Sequence, residues 1–342
     1  MIGTGAFGRN HARVYSAMRD EGVELVALVD RDRAHAEEVY RELQATGGTP
    51  PQIFASVDEM IAAKLGVDAA SVAVPTTEHL AVARSLMQAG VDVLIEKPLA
   101  TTIAEADELL ALATKHQRVA QVGHLERFNP AVRAALPLVK NPMFFEIHRL
   151  SLFGPRALDV DVVLDLMIHD LDIVLALVKS EVREIRAVGI PILSAKVDIA
   201  NVRMEFESGC VANFTASRVS TERVRKLRLF QPHQYISLDY SKQDVFALTV
   251  EPATSFASAP IADFTPVAMP PGMRIVPSRP QVQSEEPLLA ELRAFVDAVR
   301  NRSTPAVPLE DGRRALAVAL EILSQIDQHM RRVKIDSPAA GH

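Results

Sequence analysis

The chain opens with MIGTGAFGRNH, residues 1–11, and this stretch decides the fold of the first part of the protein. Gly3, Gly5 and Gly8 form a G-x-G-x-x-G pattern. In a dinucleotide loop the first glycine allows a tight turn, the second admits a pyrophosphate, and the third lets a helix pack on a strand. A glycine-rich turn would show the same spacing, so the pattern needs support from the residues around it.

Asp30 supplies that support from the end of the next predicted strand, VELVALVD, residues 23–30. An acidic residue about 20 positions after the glycines can accept hydrogen bonds from the adenosine ribose. The same Asp could instead cap the following helix. We predict a dinucleotide site that includes Ala6 and Phe7 of the loop, with NAD as cofactor. Arg31 or Arg33 can accommodate a 2′-phosphate, so NADP stays an alternative.

Only Met1 and Ile2 precede the glycine loop, where a central strand of about five residues normally lies. We expect this pair to be the end of that strand, with the preceding residues absent from the chain. The sheet position beside VELVALV should then look short. Each buried backbone group left unpaired by such a loss costs about 1–3 kcal/mol.

Strand and helix candidates alternate through residues 1–123, as in a doubly wound α/β domain with a parallel sheet. From residue 124 the pattern changes to short strands placed close together, which predicts an α+β domain over 124–342. Its sheet should be open and mostly antiparallel, with helices on one face. Residues 252–283, rich in Pro, Ala and Ser, read as an irregular segment. Further strand candidates are 69–75, 91–98, 118–124 and 143–151, and helix candidates are 8–20, 32–46, 78–89, 102–116, 160–178, 284–301 and 309–331.

Charge and composition exclude several classes of partner. The net charge of −6, without a long basic run, argues against nucleic acid or an anionic membrane as the main partner. No apolar stretch has the length of a membrane span, and the N-terminus lacks a signal-peptide pattern. The single cysteine, Cys210, excludes an internal disulfide and fits a reducing compartment. We therefore expect a cytoplasmic location.

Two charged segments are candidates for chemistry. Glu96, Lys97 and a proline follow a predicted buried strand, at the sheet edge where open α/β folds bind ligands, although a surface turn would look the same. Asp165 and His169 share a face of the predicted helix 160–178 in an apolar setting. A histidine with a carboxylate partner suits acid–base catalysis. A buried structural pair, or a metal site completed by Asp172, would give the same pattern, but no second histidine lies at ligand spacing.

These segments, taken in order, resemble the Gfo/Idh/MocA family, whose members oxidise sugars, inositols and sugar nucleotides. The resemblance covers nearly the whole chain and implies a Rossmann domain followed by an open-sheet substrate domain. It implies no metal and a small-molecule sugar or sugar-nucleotide substrate. The residues that carry it are GTGAFGRNH (3–11), VPTTEH (74–79), EKPLA (96–100), GHLERFNPAV (123–132) and DLMIHDLD (165–172).

The family pattern implies roles at matching positions. Lys97 would contact the reacting hydroxyl and the cofactor, His169 would be the general base, and Asp165 would orient substrate or histidine. The Lys-Pro bond of the EKP segment would be cis. Four further residues would bind the cofactor: Pro75, Thr76 and His79 along it, and Glu96 beside the nicotinamide ribose.

Within the family, VDVVLD (160–165) and HLERFNPAV (124–132) resemble a subgroup acting on UDP-N-acetylglucosamine. Its members oxidise C3 to a ketone for a partner aminotransferase in diamino lipid A synthesis. Arg127, Asn129 and Arg156 are polar residues expected near the substrate, and arginine suits a diphosphate. A dehydrogenase of free sugars or inositol, or a non-catalytic cofactor-binding protein, stays open. Because the open sheet needs its second face covered, we expect a homodimer or homotetramer.

Overall fold

The computed structural model describes residues 1–44, 50–154, 160–253 and 271–333. Contacts divide the chain into two compact units. The first unit comprises Met1–Leu125 and Glu286–Leu316, and the second comprises Glu126–Glu285 and the residues from Ala317 onward. The sequence predicts a single domain boundary, between residues 123 and 124. In the structure the chain passes from one unit to the other three times, because residues 286–316 return to the first unit.

The first unit is built on parallel strands with helices between them, as the alternating sequence pattern predicts. Sequence reasoning missed strand β2, Gln52–Phe54, and helix α3, Val57–Ala62, because β2 is only three residues long and lacks a buried residue. Strands β1 to β5 are Ala27–Val29, Gln52–Phe54, Ala69–Val72, Asp92–Glu96 and Ala120–Gly123. Helices α1 to α5 are Gly8–Ala17, Arg33–Gln44, Val57–Ala62, His79–Gln88 and Ile103–His116.

Residues 1 and 2 lie between β1 and β3. Ile2 forms parallel bridges to Val29 on one side and Val72 on the other. Its N–H donates to the carbonyl oxygen of Ser71 at 2.8 Å, and its own carbonyl accepts from Ala73 N–H at 2.8 Å. The pair β1–β2 and the trio β3–β4–β5 thus flank the segment that leads into the glycine loop.

The second unit contains an open sheet of eight strands. Strands β6 to β13 are Phe144–Leu152, Val182–Ile190, Ile199–Phe206, Val211–Ser220, Val224–Gln231, Gln234–Asp239, Asp244–Pro252 and Met273–Ser278. Their order in the sheet is β13-β12-β11-β10-β6-β9-β8-β7. The predicted mostly antiparallel sheet is confirmed, with β6 and β9 as a parallel pair. Strand β13 corrects the expectation of an irregular segment over 252–283, because its backbone pairs with β12; residues 254–270 lie outside the described part.

Alternate residues of the second unit's strands are buried, so the sheet has an inner and an outer face. On β8, Ala200, Val202 and Met204 are buried, whereas Asn201 and Arg203 between them are exposed. No described helix is both long and apolar enough to cross a membrane. The remaining helices are α6, Pro130–Ala135; α7, Ile168–Val178, which follows a π-helical turn at Val163–Met167; α8, Pro287–Asn301; and α9, Leu309–Val333.

Helix α8 explains why the late segment belongs to the first unit. Its apolar face, including Leu292 and Phe295, packs with Tyr15 and Met18 of α1 and with Leu94 of β4. Burial of aromatic and aliphatic side chains of this kind stabilises by about 1.5–3 kcal/mol each. The helix that starts at the glycine loop is thereby held between the parallel strands and α8.

Candidate active site

The glycine loop has the geometry that a phosphate-binding turn requires. Gly3 has a φ of +82°, and a Cβ there would lie 2.7 Å from the carbonyl oxygen of Ala73. A Cβ on Gly8 would lie 1.8 Å from the carbonyl oxygen of Gly3, so neither position accepts a side chain. At Gly5 nothing lies within 4 Å of the Cβ position, which leaves open space beside the start of α1. A pyrophosphate fits there because the helix N-terminus offers unsatisfied N–H groups. The neighbouring Ala6 and Phe7 are exposed.

Asp30 is held at the end of β1 by three hydrogen bonds. Its Oδ2 accepts from the backbone N–H of Thr4 at 2.7 Å and from the Thr4 hydroxyl at 2.8 Å, and its Oδ1 accepts from Asp32 N–H at 2.9 Å. Asp32 rather than Asp30 accepts from the N–H of Ala34 at the start of α2, which argues against the capping role for Asp30. Sequence reasoning missed Thr4, whose side chain orients the carboxylate.

A pocket of about 530 Å³ lies between this carboxylate and the β3–α4 segment. The open space at Gly5 and the oriented acceptor at Asp30 together fit the phosphates and ribose of a dinucleotide. Its lining includes Gly3, Gly5, Asp30, Arg31, Pro75 and Glu78.

The EKP segment forms the turn at the end of β4. The Lys97–Pro98 peptide bond is cis, and Lys97 is half-buried. The Glu96 carboxylate is buried, with Oε1 3.0 Å from Nε2 of His11. A Cβ on Gly123 would lie 2.5 Å from that same oxygen, so the glycine at the end of β5 makes room for the carboxylate.

His11 and Glu96 form a buried cluster with Glu291 of α8. One ligand-type atom from each of the three residues lies within 4.8 Å of the other two. His11 and Glu291 are fully buried, so the cluster brings side chains of α1 and α8 to the end of β4. Sequence reasoning placed Glu96 beside the nicotinamide ribose, and that contact stays a prediction. His11 and Glu291 were missed, because only the packing of α8 brings them together.

His79 begins α4 and is buried. Its Nδ1 lies 3.2 Å from the carbonyl oxygen of Leu99, and its Nε2 lies 3.0 Å from that of Val74. Burial lowers the pKa of His79, although the carbonyl contacts oppose this effect. The ring therefore links the segment after β3 to the segment after the EKP turn. Pro75 is exposed and Thr76 half-buried just before it, and cofactor contacts of all three stay predictions.

The second unit carries the predicted acid–base residues. Asp165 lies in the π-helical turn and His169 lies in the first turn of α7. Both side chains are half-buried, whereas Asp170 and Asp172 on the same helix are buried. Single π-helical turns are frequent at functional sites. Among the ionisable side chains Asp165, His169, Asp170 and Asp172, the two that are not buried are thus the two that the D-x-x-x-H pattern singled out.

Arg127 and Asn129 have partners within the second unit. Arg127 Nε and Nη2 donate to the two carboxylate oxygens of Asp172 at 2.6 and 2.7 Å, which leaves Asp172 poorly placed as a metal ligand. Asn129 is buried, accepts from Ala131 N–H as the cap of α6, and donates to Glu126. Substrate contacts of both residues stay predictions. Arg156 lies outside the described residues.

A buried ionic network lies next to α7 and was missed by sequence reasoning. Arg149 donates to both carboxylate oxygens of Asp170 at 2.7 and 2.8 Å, and to Glu126 at 2.9 Å. Burial disfavours its charge, but the two carboxylates outweigh burial and raise the pKa of Arg149. Burial also raises the pKa of Asp170, yet the two-point contact favours the ionised pair. A signal was present, because Arg149 follows Phe145 and Ile147 on the inner face of β6.

Fold and site together define an NAD-binding oxidoreductase. Residues 1–124 match the oxidoreductase family with an NAD-binding Rossmann fold, and residues 146–232 match the Gfo/Idh/MocA C-terminal domain. The chain is also 34% identical to UDP-N-acetylglucosamine 3-dehydrogenase of Acidithiobacillus ferrooxidans, over 97% of this chain and 98% of that protein. This protein therefore belongs to the Gfo/Idh/MocA family.

One further relative and two solved structures extend the comparison. Inositol 2-dehydrogenase of Acidothermus cellulolyticus is 31% identical, over 55% of each chain. The solved structure of the Acidithiobacillus ferrooxidans enzyme superposes with a TM-score of 0.84 and covers 97% of both chains. Scyllo-inositol dehydrogenase of Lactobacillus casei, solved with NAD(H) and scyllo-inositol bound, has a TM-score of 0.73 over 96% of both chains at 19% identity, which shows the fold alone.

Proposed function

We propose that this protein is an NAD-dependent dehydrogenase that oxidises the C3 hydroxyl group of UDP-N-acetylglucosamine to a ketone. The observation that carries this proposal is similarity over nearly the full length, through both units, to UDP-N-acetylglucosamine 3-dehydrogenase of Acidithiobacillus ferrooxidans. The similarity to the inositol 2-dehydrogenase of Acidothermus cellulolyticus covers about half of the chain. Residues from both units are expected to bind the substrate. Similarity through both units therefore says more about the class of substrate than similarity over half of the chain.

The residues of this chain supply binding and proton transfer. Oxidising a secondary alcohol removes a hydride from carbon and a proton from oxygen. We assign the proton to the imidazole of His169, because histidine is the side chain most often used as a general base near neutral pH. The Lys97 ammonium would stabilise the developing alkoxide, and Asp165, one turn before His169, would orient the imidazole or the substrate. NAD, when bound, accepts the hydride at its nicotinamide ring.

We also propose that NAD is preferred to NADP. Asp30 is the supporting residue, because its oriented carboxylate can accept hydrogen bonds from ribose hydroxyl groups and would repel a 2′-phosphate. Lys97 and the loop residues Gly3, Gly5, Ala6 and Phe7 would hold the rest of the cofactor.

An inositol or free-sugar dehydrogenase is the second candidate, favoured by the inositol dehydrogenases among the relatives. UDP-N-acetylglucosamine carries a diphosphate, whereas inositols and free sugars do not. Arginine is the side chain that usually binds a diphosphate. Arg127 is paired to Asp172, so a diphosphate would have to share or displace that pair.

The test follows NADH formation at 340 nm, a property of the reduced nicotinamide, with UDP-N-acetylglucosamine, UDP-glucose, myo-inositol and glucose as substrates. We expect turnover with UDP-N-acetylglucosamine alone among these at low substrate concentration. Product analysis by mass spectrometry should show loss of two hydrogens, and borohydride reduction with deuterium should place the label at C3. Turnover of inositol or glucose without the nucleotide sugar would overturn the assignment in favour of the second candidate.

We further propose that the ketone product is consumed by an aminotransferase, since a 3-keto sugar is the substrate such an enzyme needs to install a second nitrogen. That route leads to the diamino sugars of lipid A. A cytoplasmic location agrees with this, because the single cysteine suits a reducing compartment. Coupling the purified protein to an aminotransferase with an amino donor should pull the oxidation forward. An unchanged NADH yield would contradict this placement.

A further inference from the structure

The rim of the cofactor pocket carries an ion pair that the dehydrogenase chemistry does not use. Nη2 of Arg31, directly after Asp30, lies 2.5 Å from Oε1 of Glu78. The Arg31 side chain is 76% exposed and that of Glu78 is 29% exposed. Both residues line the 530 Å³ pocket, on opposite segments: Arg31 follows β1 and Glu78 follows β3.

Arg31 is the side chain on which recognition of a 2′-phosphate would depend. Among the described residues that line the pocket, it is the one arginine, and lysine is absent from them. Arg33, the next arginine along the chain, pairs with Glu37 of its own helix at 2.8 Å and does not line the pocket. A guanidinium beside the ribose-binding Asp can bind the 2′-phosphate in a two-point contact.

The backbone around Glu78 is well fixed. Its N–H donates to the carbonyl oxygen of Pro75 at 2.8 Å, closing a short 3-10 turn. The next residue, His79, is buried and contacts two carbonyl oxygens. The Glu78 backbone is therefore fixed at the pocket rim, within reach of the Arg31 guanidinium.

We infer that Glu78 is a specificity-determining residue that disfavours NADP by holding the Arg31 guanidinium in an ion pair across the rim. This inference rests on the proposed NAD preference and adds a second cause to it. Asp30 repels the 2′-phosphate directly. Glu78 adds another negative charge and keeps Arg31, the one arginine among the described lining residues, from binding that phosphate. Binding NADP would break the pair and bring the phosphate near two carboxylates.

The test is a double-mutant cycle with binding as the readout. Calorimetry measures the Kd of NAD and of NADP for wild type, E78Q, R31Q and the double variant. The substitution E78Q keeps the side-chain shape and removes the charge. We expect E78Q to lower the Kd of NADP by about three- to tenfold, the size of an exposed ion pair plus the removed repulsion. The Kd of NAD should change by less than about twofold.

The R31Q background separates the inference from simple charge removal. There, E78Q should lower the Kd of NADP by a markedly smaller factor than in the wild type, because only the repulsion of the phosphate is removed and no guanidinium remains to be released. The matched control is D58N, which removes a carboxylate from the same pocket and leaves the pair intact. Its effect on NADP should be equal in the wild-type and R31Q backgrounds.

Two failures can be told apart. An E78Q effect that is the same size with and without Arg31, or absent in both, would overturn the role of Glu78. Tighter binding of NADP than of NAD by the wild type would instead refute the proposed cofactor preference, whatever the cycle shows. Since binding is measured without the sugar substrate, neither result depends on the assignment of UDP-N-acetylglucosamine.

Discussion

Lys97 and His169 are the side chains on which the proposed chemistry depends. We expect Lys97→Ala and His169→Ala each to lower kcat with UDP-N-acetylglucosamine by about two to four orders of magnitude, because one removes the cation at the developing alkoxide and the other the base. The Kd of NAD for the His169 variant should stay close to that of the wild type. The exposed Lys115, at the end of α5, offers Lys115→Ala as a control that should keep full turnover. Near-normal kcat in either active-site variant would refute the assigned role.

The buried side chain of His79 should make the free energy of unfolding depend on pH. Burial lowers its pKa in the folded protein, so the unfolded chain takes up a proton first as the pH falls. Stability from the neutral ring is fully present above the unfolded pKa of about 6.5 and is lost as the pH falls from there toward the folded pKa. Urea midpoints of wild type and His79→Gln, measured from pH 8 to pH 5, should diverge in slope below about 6.5, with the variant flatter. Parallel curves would show that His79 does not contribute.

At the scale of elements, strand β6 and helix α7 are joined by the buried ion pair between Arg149 and Asp170. Arg149→Met should destabilise the protein by about 3–5 kcal/mol, because it leaves Asp170 and Glu126 buried without their cation. Arg186, which pairs with Glu184 on the exposed side of β7, provides the control Arg186→Met, expected to cost less than about 1 kcal/mol. Urea unfolding of the two variants makes the comparison. Equal losses would mean that the buried network is not stabilising.

The same element illustrates what a sequence pattern can and cannot predict. The alternation of Phe145, Ile147 and Arg149 on β6 indicates that the arginine points inward. The pattern does not indicate its partner, because Asp170 is 21 positions away and reaches it only when α7 packs on the sheet. The π-helical turn before α7 was also not predicted, since a regular helix and a π-helical turn have nearly the same apolar pattern.

At the scale of the whole molecule, we expect a homodimer or homotetramer joined through the outer face of the eight-stranded sheet. On that face the ring centroid of Phe230 lies 5.7 Å from that of Phe144 and 5.2 Å from that of Tyr235. The Arg228–Glu146 ion pair joins the same two strands, β10 and β6, on this face. Phe230→Glu should shift light-scattering mass toward the monomer, because it places a charge in an apolar cluster. Leu136→Glu, at an exposed apolar residue outside the sheet, is the matched control. A monomeric wild type, or an assembly unchanged by Phe230→Glu, would contradict this.

The sequence by itself determined the class of fold and the cofactor loop. Glycine spacing, the Asp at a strand end and the alternation of strands with helices are local, because each depends on backbone geometry or on periodic burial within about 20 residues. Only the tertiary structure decided that residues 286–316 join the first unit, that Glu291 meets His11 and Glu96, and that Glu78 holds Arg31. These contacts join segments far apart in the chain. Their free energy comes from packing faces together, and no periodicity in one segment specifies the partner that another segment will present.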